Sequence, residues 1–195
     1  LMEQVACIFS REKSGRIRIT PRELEEGNEK ELLKFAYDIG EVLKRAHGKM
    51  VLHRDIKLEN IFWDTKSEQY KLGDFGLSKY VEDGKAETVL YTNGYGAPEI
   101  ERRLTNNYNA SADIYSFGIT LYLLFNELKF PASDGYYVNP VQYSEEFVFP
   151  APIHASQSIA RVLRKMCSYR VEDRYRSIEE ALIELERTKR EYSET

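Results

Sequence analysis

The sequence predicts a mainly α domain that carries a few small β-hairpins. Three observations support this. Behind Asn28, the apolar residues Leu32, Ala36, Ile39, Leu43 and Ala46 recur at four- and three-residue spacing, which is one face of an amphipathic helix. The run Phe117–Phe125 (FGITLYLLF) is apolar on every side but far shorter than the roughly 20 residues a membrane span needs. Such a helix belongs in a protein core. Between residues 51 and 72, by contrast, apolar stretches are only two or three residues long and are separated by polar turns, as short strands require.

In chain order, Thr20-Pro21-Arg22-Glu23 has the form of a capping box with proline at the first helical position, and Gly27 keeps any helix there short. Asn28 and Glu31 repeat the capping logic at the start of the amphipathic helix, which Gly48 stops. Val51-Leu52, Ile61-Phe62-Trp63 and Tyr70-Lys71-Leu72 read as strands, the last two forming a hairpin across the polar Asp64–Gln69 turn. The stretch from Leu77 to Gly96 has no period and reads as a long loop, and loops of that length inside a domain are usually functional. Ala110–Glu127 is expected to be the central helix, and Lys129–Pro152 mostly irregular because aromatics and prolines break it. Ser156–Tyr169 and Ile178–Arg190 read as two closing helices, the second capped by the Ser177/Glu180 pair.

At 195 residues the chain is long enough for one domain with a full core. Its net charge of −4 argues against a broad nucleic-acid footprint, which needs basic excess. There is no lipidation signal and no membrane segment. Cys7 and Cys167 stand far apart without a CxxC, and three histidines cannot complete a zinc spacing. Two buried free thiols in a reducing cytoplasm are the expectation.

The chemistry concentrates in HRDIKLEN, His53–Asn60, just ahead of a strand. An acid, a base and an amide within a few residues suit the handling of a hydroxyl and a metal at one place. Asp74-Phe75-Gly76 follows the next strand, and Ala97-Pro98-Glu99 closes the long loop. Each triplet alone is weak. Together, in this order and with these gaps, the three elements resemble the catalytic loop, DFG and APE elements of the eukaryotic-type serine/threonine protein kinases. The resemblance runs from about Leu1 to Leu185 and implies a fold of the protein-kinase lower lobe, without the N-terminal β-lobe. Residues 1–6 would be the remnant of the hinge between lobes. Residues 7–195 would be the C-terminal lobe, with the catalytic loop at 53–60 and the activation segment at 74–99.

Phosphoryl transfer asks a protein mainly to position groups and offset charge. By the resemblance, Asp55 orients or accepts the hydroxyl proton of a serine or threonine in a protein substrate. Asp74 and Asn60 hold Mg2+ through hard oxygen atoms, and Lys57 reaches the transferred phosphate of ATP. Glu3 and Val5 lie on the hinge beside the nucleotide, and Phe62 forms the floor under adenine. Asp113, within DIYSFG, receives backbone N–H groups of the catalytic loop, and Glu99 pairs with Arg174. His53 and Phe75 stack beneath the site.

Arg54 and Lys79 would bind a phosphate carried by Thr88, four residues before Thr92, which itself contacts the catalytic aspartate and lysine. Phosphorylation of Thr88 would then order the loop. Tyr91 and Asn93 depart from the glycine and proline of the usual GTPxYxAPE pattern, and tyrosine avoids backbone angles that glycine reaches. The acids Glu23, Glu25, Glu26 and Glu29 read as a solvated face.

A kinase also needs a glycine-rich lid, a strand lysine for the phosphates and a helix glutamate to hold that lysine. The first glycine here is Gly15, and no VAIK-like tetrapeptide occurs. The expectation is therefore a lobe whose partner, the N-terminal lobe, lies in a longer protein. The piece alone would bind Mg-ATP weakly and catalyse little or nothing. Two other classes remain: a non-catalytic pseudokinase or interaction module, and a small-molecule phosphotransferase of similar fold. The intact Asp55, Asn60 and Asp74 count against the first, and Lys57 with the APE segment counts against the second.

Overall fold

A computed structural model describes residues 9–11, 17–19, 29–64, 66–74, 79–80, 92, 94–102, 108–133, 136–137 and 147–193. Their elements, in order, are β1 (Phe9–Arg11), β2 (Ile17–Ile19), α1 (Glu29–Gly48), β3 (Val51–Leu52), a single 3-10 turn (Leu58–Asn60), β4 (Ile61–Asp64), β5 (Gln69–Leu72) and β6 (Lys79–Tyr80). Then come α2 (Pro98–Glu101), α3 (Ala110–Phe125), β7 (Ala132–Ser133), β8 (Tyr136–Tyr137), α4 (Gln157–Met166), a second 3-10 turn (Val171–Asp173) and α5 (Ile178–Ser193). The architecture is mainly helical, and the described strands form four separate antiparallel pairs: β1–β2, β3–β6, β4–β5 and β7–β8.

Helix α3 is the centre. Every residue from Ala112 to Phe125 is buried, as an all-round apolar sequence demands. Asn109 caps it, its side-chain oxygen accepting the Ser111 N–H at 2.9 Å. Around α3 pack α1, through Leu32, Phe35, Ile39 and Leu43, and α4, through Ile159, Leu163 and Met166. Helix α5 closes on α1 with Leu182 and Leu185. Two helix glycines permit these contacts. A Cβ on Gly118 would come within 2.7 Å of Cys167 Sγ and 2.8 Å of Met166 Cβ, and one on Gly40 within 2.5 Å of Leu182 Cδ2.

The expected hairpin forms between Ile61–Asp64 and Gln69–Leu72, with Ile61 opposite Leu72 and Trp63 opposite Tyr70, and Asp64 and Gln69, expected in the turn, pair as its last strand residues. It lies on α1, where Phe35 meets Tyr70 edge-on. Two short pairings had no signal in the sequence. Val51-Leu52 does not pair with its neighbours in the chain but with Lys79-Tyr80, inside the stretch expected to be loop throughout. The pair β1–β2 was not anticipated either. A two- or three-residue strand is too short to show a period, and long-range backbone hydrogen bonds decide it.

Both closing helices form, but α4 ends at Met166, three residues short of the expected Tyr169, and α5 runs three residues further than expected, to Ser193. Ser177 caps α5 by accepting the Glu180 N–H at 3.2 Å, while the Glu180 carboxylate accepts from Arg176 N–H, one residue earlier than in the standard box. Cys167 is a buried free thiol whose pKa burial pushes up, so it is inert. Cys7 and the capping pattern at Thr20–Glu23 lie outside the described residues. Among the described residues, no helix is long and apolar enough to cross a membrane.

Candidate functional site

The segment 53–60 leaves β3, crosses above the N-terminus of α3, and enters β4. Its path is fixed by one carboxylate. Asp113, fully buried on the first turn of α3, accepts the His53 N–H on Oδ2 and the Arg54 N–H on Oδ1, both at 2.9 Å. Tyr108 OH donates to Oδ1 at 3.1 Å, and His47 Nε2 lies 2.9 Å from Oδ2. These four bonds use the full acceptor capacity of a carboxylate. Burial alone would raise the Asp113 pKa, but His47 and the two backbone N–H groups together hold it below the usual value. The clamp secures a left-handed backbone at Arg54, φ 69°, which a non-glycine residue adopts only when its surroundings enforce it.

Asp55 follows immediately and is buried. Three side chains converge on it. Lys57 Nζ is 2.8 Å from Oδ2, Asn60 Nδ2 donates to the same oxygen at 2.9 Å, and Thr92 Oγ1 donates to Oδ1 at 2.5 Å. Lys57 also donates to Thr92 Oγ1 at 2.9 Å, which closes a triangle of acid, ammonium and hydroxyl. Burial pushes the Asp55 pKa up, but the bonds from Lys57, Thr92 and Asn60 outweigh it and leave the carboxyl below its ordinary value. Asp55 is thus ionised at neutral pH and acts as an acceptor.

Asn60 ties this triangle to the hairpin. Its Nδ2 also donates to the Asp55 backbone oxygen at 2.7 Å, and its own backbone carbonyl accepts the Gly73 N–H at 2.8 Å. The residue after Gly73, Asp74, is exposed and left-handed at φ 54°. Asn60 and Asp74 therefore sit at adjacent ends of β4 and β5. With Nδ2 committed to Asp55, the carboxamide oxygen is the atom that could ligate a cation. A carboxamide oxygen and a carboxylate form a hard, two-ligand set, which suits Mg2+ because that ion keeps waters and substrate phosphates as its other ligands. Among the described residues no three His, Cys, Asp or Glu side chains gather into a self-sufficient metal cluster. Phe62 lies against Gly73, where a Cβ would meet its ring at 2.7 Å. His53 Nε2 is 3.0 Å from the Gly73 carbonyl.

At the far side, Arg174, its side chain fully buried, grips Glu99 with two parallel bonds of 2.8 and 2.7 Å. Its Nε donates to the Ser168 carbonyl at 2.8 Å and Nη2 to that of Tyr169 at 3.1 Å. The short helix α2, which bears Glu99, is thereby fastened to the loop before α5. Thr92 is brought to Asp55. Glu3, Val5, Phe75 and Thr88 lie outside the described residues, as does the side chain of Lys79. Three participants carried no recognised signal: His47 and Tyr108, which complete the bonds on Asp113, and Glu101 on α2. His47 ends the amphipathic helix, where a basic residue reads as a dipole partner. Glu101 lies on a helix too short to show a face.

Comparison with known proteins adds an independent finding. The family model described as "Protein kinase domain" matches residues 13–184. Calcium-dependent protein kinase 27 of Arabidopsis thaliana is 34% identical over 157 residues, 71% of this chain and 30% of that protein. Serine/threonine-protein kinase Nek5 of Mus musculus is 32% identical over 150 residues, covering 75% of this chain and 23% of its own length. The cell cycle serine/threonine-protein kinase CDC5/MSD2 of Saccharomyces cerevisiae is 34% identical over 125 residues, 63% of this chain and 18% of that protein. The chain thus spans less than a third of the length of these relatives.

Proposed function

The chain belongs to the protein kinase family, and on that premise we propose that it forms the lower, catalytic lobe of a serine/threonine protein kinase. The observation that carries the proposal is the convergence of Lys57, Asn60 and Thr92 on the buried carboxylate of Asp55. In this reading a serine or threonine hydroxyl of a protein substrate donates to Asp55. The lowered pKa makes Asp55 a weak base, which suffices because a loose phosphoryl-transfer transition state calls mainly for orientation of the nucleophile. The Lys57 ammonium offsets charge on the phosphoryl group as it moves from ATP to the hydroxyl oxygen. Asn60 and Asp74 would hold Mg2+, which supplies charge neutralisation on the nucleotide phosphates. Phe62 would floor the adenine, with Glu3 and Val5 on the connection above it. Residues 53–60 act as catalytic loop and 74–99 as activation segment, with Thr88 as its phosphate acceptor facing Arg54 and Lys79.

The 195 residues contain no glycine-rich lid and no VAIK-like tetrapeptide. Nucleotide held by this lobe alone faces water, where each electrostatic contact weakens. Catalysis therefore needs an upper lobe in the intact protein. The test is transfer of labelled γ-phosphate from Mg-ATP to serine, threonine and tyrosine peptides by the full-length protein and by its Asp55→Asn variant. Labelled serine or threonine in the first and loss in the second is expected. Transfer that survives Asp55→Asn overturns the assignment.

A further inference from the structure

The chain from Thr92 to Gly96 would lie between the catalytic aspartate and the substrate peptide. Tyr95 N–H donates to the Thr92 carbonyl at 3.0 Å, which makes 92–95 a four-residue turn. Gly94, at its third position, has φ 88°. A positive φ at that position is reached freely by glycine and occurs in more than one turn type, so the direction of the Gly94 N–H depends on what it bonds to. Proline at the second position normally favours such a turn by fixing its φ. This chain has Asn93 instead, whose φ no ring fixes, which leaves room for a hold from outside the turn.

Glu101 supplies it. Its carboxylate Oε1 accepts the N–H of Gly94, the N–H of the central peptide itself, at 3.1 Å. The residue is only 6% exposed, and among the described residues its Oε2 has no hydrogen-bond partner. A buried acid with one oxygen unmatched is costly and is retained only for a specific task. Burial raises its pKa, while the Gly94 and Gly96 N–H groups pull the other way. The far side of the turn is fixed as well, Ser116 Oγ donating to the Tyr95 carbonyl at 2.9 Å and Phe130 meeting the Tyr95 ring edge-on.

We propose that Glu101 is a positioning residue for peptide substrates: by holding the Gly94 N–H it fixes the turn at Gly94, and so the register of Thr92 on Asp55 and Lys57. This rests on the kinase reading above for its substrate. It predicts a specific kinetic pattern. In the full-length kinase, Glu101→Leu raises the peptide KM about tenfold, the loss of one charge-assisted hydrogen bond, with the ATP KM unchanged. Glu101→Gln, which keeps an acceptor oxygen, recovers most of the difference. Asn93→Pro added to Glu101→Leu recovers part of it by restoring the turn preference. A residue that merely filled the core would show no rescue by Asn93→Pro and no split between the two KM values.

Amide exchange in the 195-residue chain separates this inference from the kinase assignment. The Gly94 N–H should exchange at least tenfold more slowly in the unsubstituted chain than in Glu101→Leu. If Glu101→Leu does not fold, the unsubstituted chain decides alone: a Gly94 N–H exchanging like an exposed loop amide overturns the proposal. Slow exchange in a full-length protein that transfers no phosphate would sink the kinase reading and leave the turn clamp standing. Normal transfer with a peptide KM unmoved in folded Glu101→Leu would sink the clamp alone.

Discussion

Asp113 shows how much one buried side chain can organise. Two of its four donors are consecutive backbone N–H groups, so it holds the backbone at His53 and Arg54 directly and Asp55 at one remove. Its folded pKa is lowered, against about 3.9 in the unfolded chain. The unfolded state therefore binds more protons between those values, and this stabilisation, complete at neutral pH, is lost as pH falls through the folded pKa. Urea unfolding followed from pH 7 downward should show stability declining below about pH 4. Asp113→Asn should flatten that decline while lowering stability at pH 7, because a neutral amide is a weaker acceptor for two N–H groups. Asp55 lies in the same regime but plays a different part. In the proposed reading Asp55→Asn removes the acceptor offered to the substrate hydroxyl, and phosphate transfer by the full-length protein should fall by about 10²–10⁴-fold. Its thermal midpoint should fall as well, because Lys57, Asn60 and Thr92 lose a charged acceptor.

Between elements, the structure rests on a few close contacts. The Glu99–Arg174 pair joins α2 to the loop before α5, and Arg174 is its inaccessible member. Arg174→Ala leaves a largely buried carboxylate and two backbone carbonyls without their donor. A cost of about 3 kcal/mol follows for breaking one side of such a pair, seen in calorimetry as a Tm lowered by about 6–12 °C. The helix glycines make a sharper comparison. At Gly118 an added methyl meets Met166 Cβ, which cannot move without the α4 backbone, whereas at Gly40 it meets only the end of Leu182. Gly118→Ala should therefore cost about 1–3 kcal/mol and Gly40→Ala clearly less, a ranking that urea midpoints of the two variants will test. Neither effect is visible in helix propensity, where alanine is the better residue.

Across the whole molecule, the proposed reading as a lower lobe predicts that the 195 residues alone bind nucleotide poorly. Calorimetric titration of the 195-residue chain with Mg-ATP should show affinity at least tenfold weaker than that of the full-length protein, since one face of the ligand stays in water. Much of this architecture was legible beforehand. The amphipathic α1, the buried α3, the β4–β5 hairpin and the two closing helices all carry strong periodic or capping signals. The pairing of Val51-Leu52 with Lys79-Tyr80 did not, because two-residue strands have no period. Glu101 was missed because it looks like one acid among many until burial singles it out.

The sequence by itself determined which segments coil and which extend, and it determined the residue types on which the proposed chemistry depends. Those properties follow from neighbours three or four places apart, whose spacing sets what a helix face or strand face presents to water. Only the tertiary structure decided that Asp113 bonds to a loop sixty residues earlier, that Arg54 and Asp74 take left-handed backbones, and that a glutamate on a four-residue helix holds the turn beside Asp55. Each of these satisfies a buried polar group with a distant partner, and such a partner exists only once the core has closed around it.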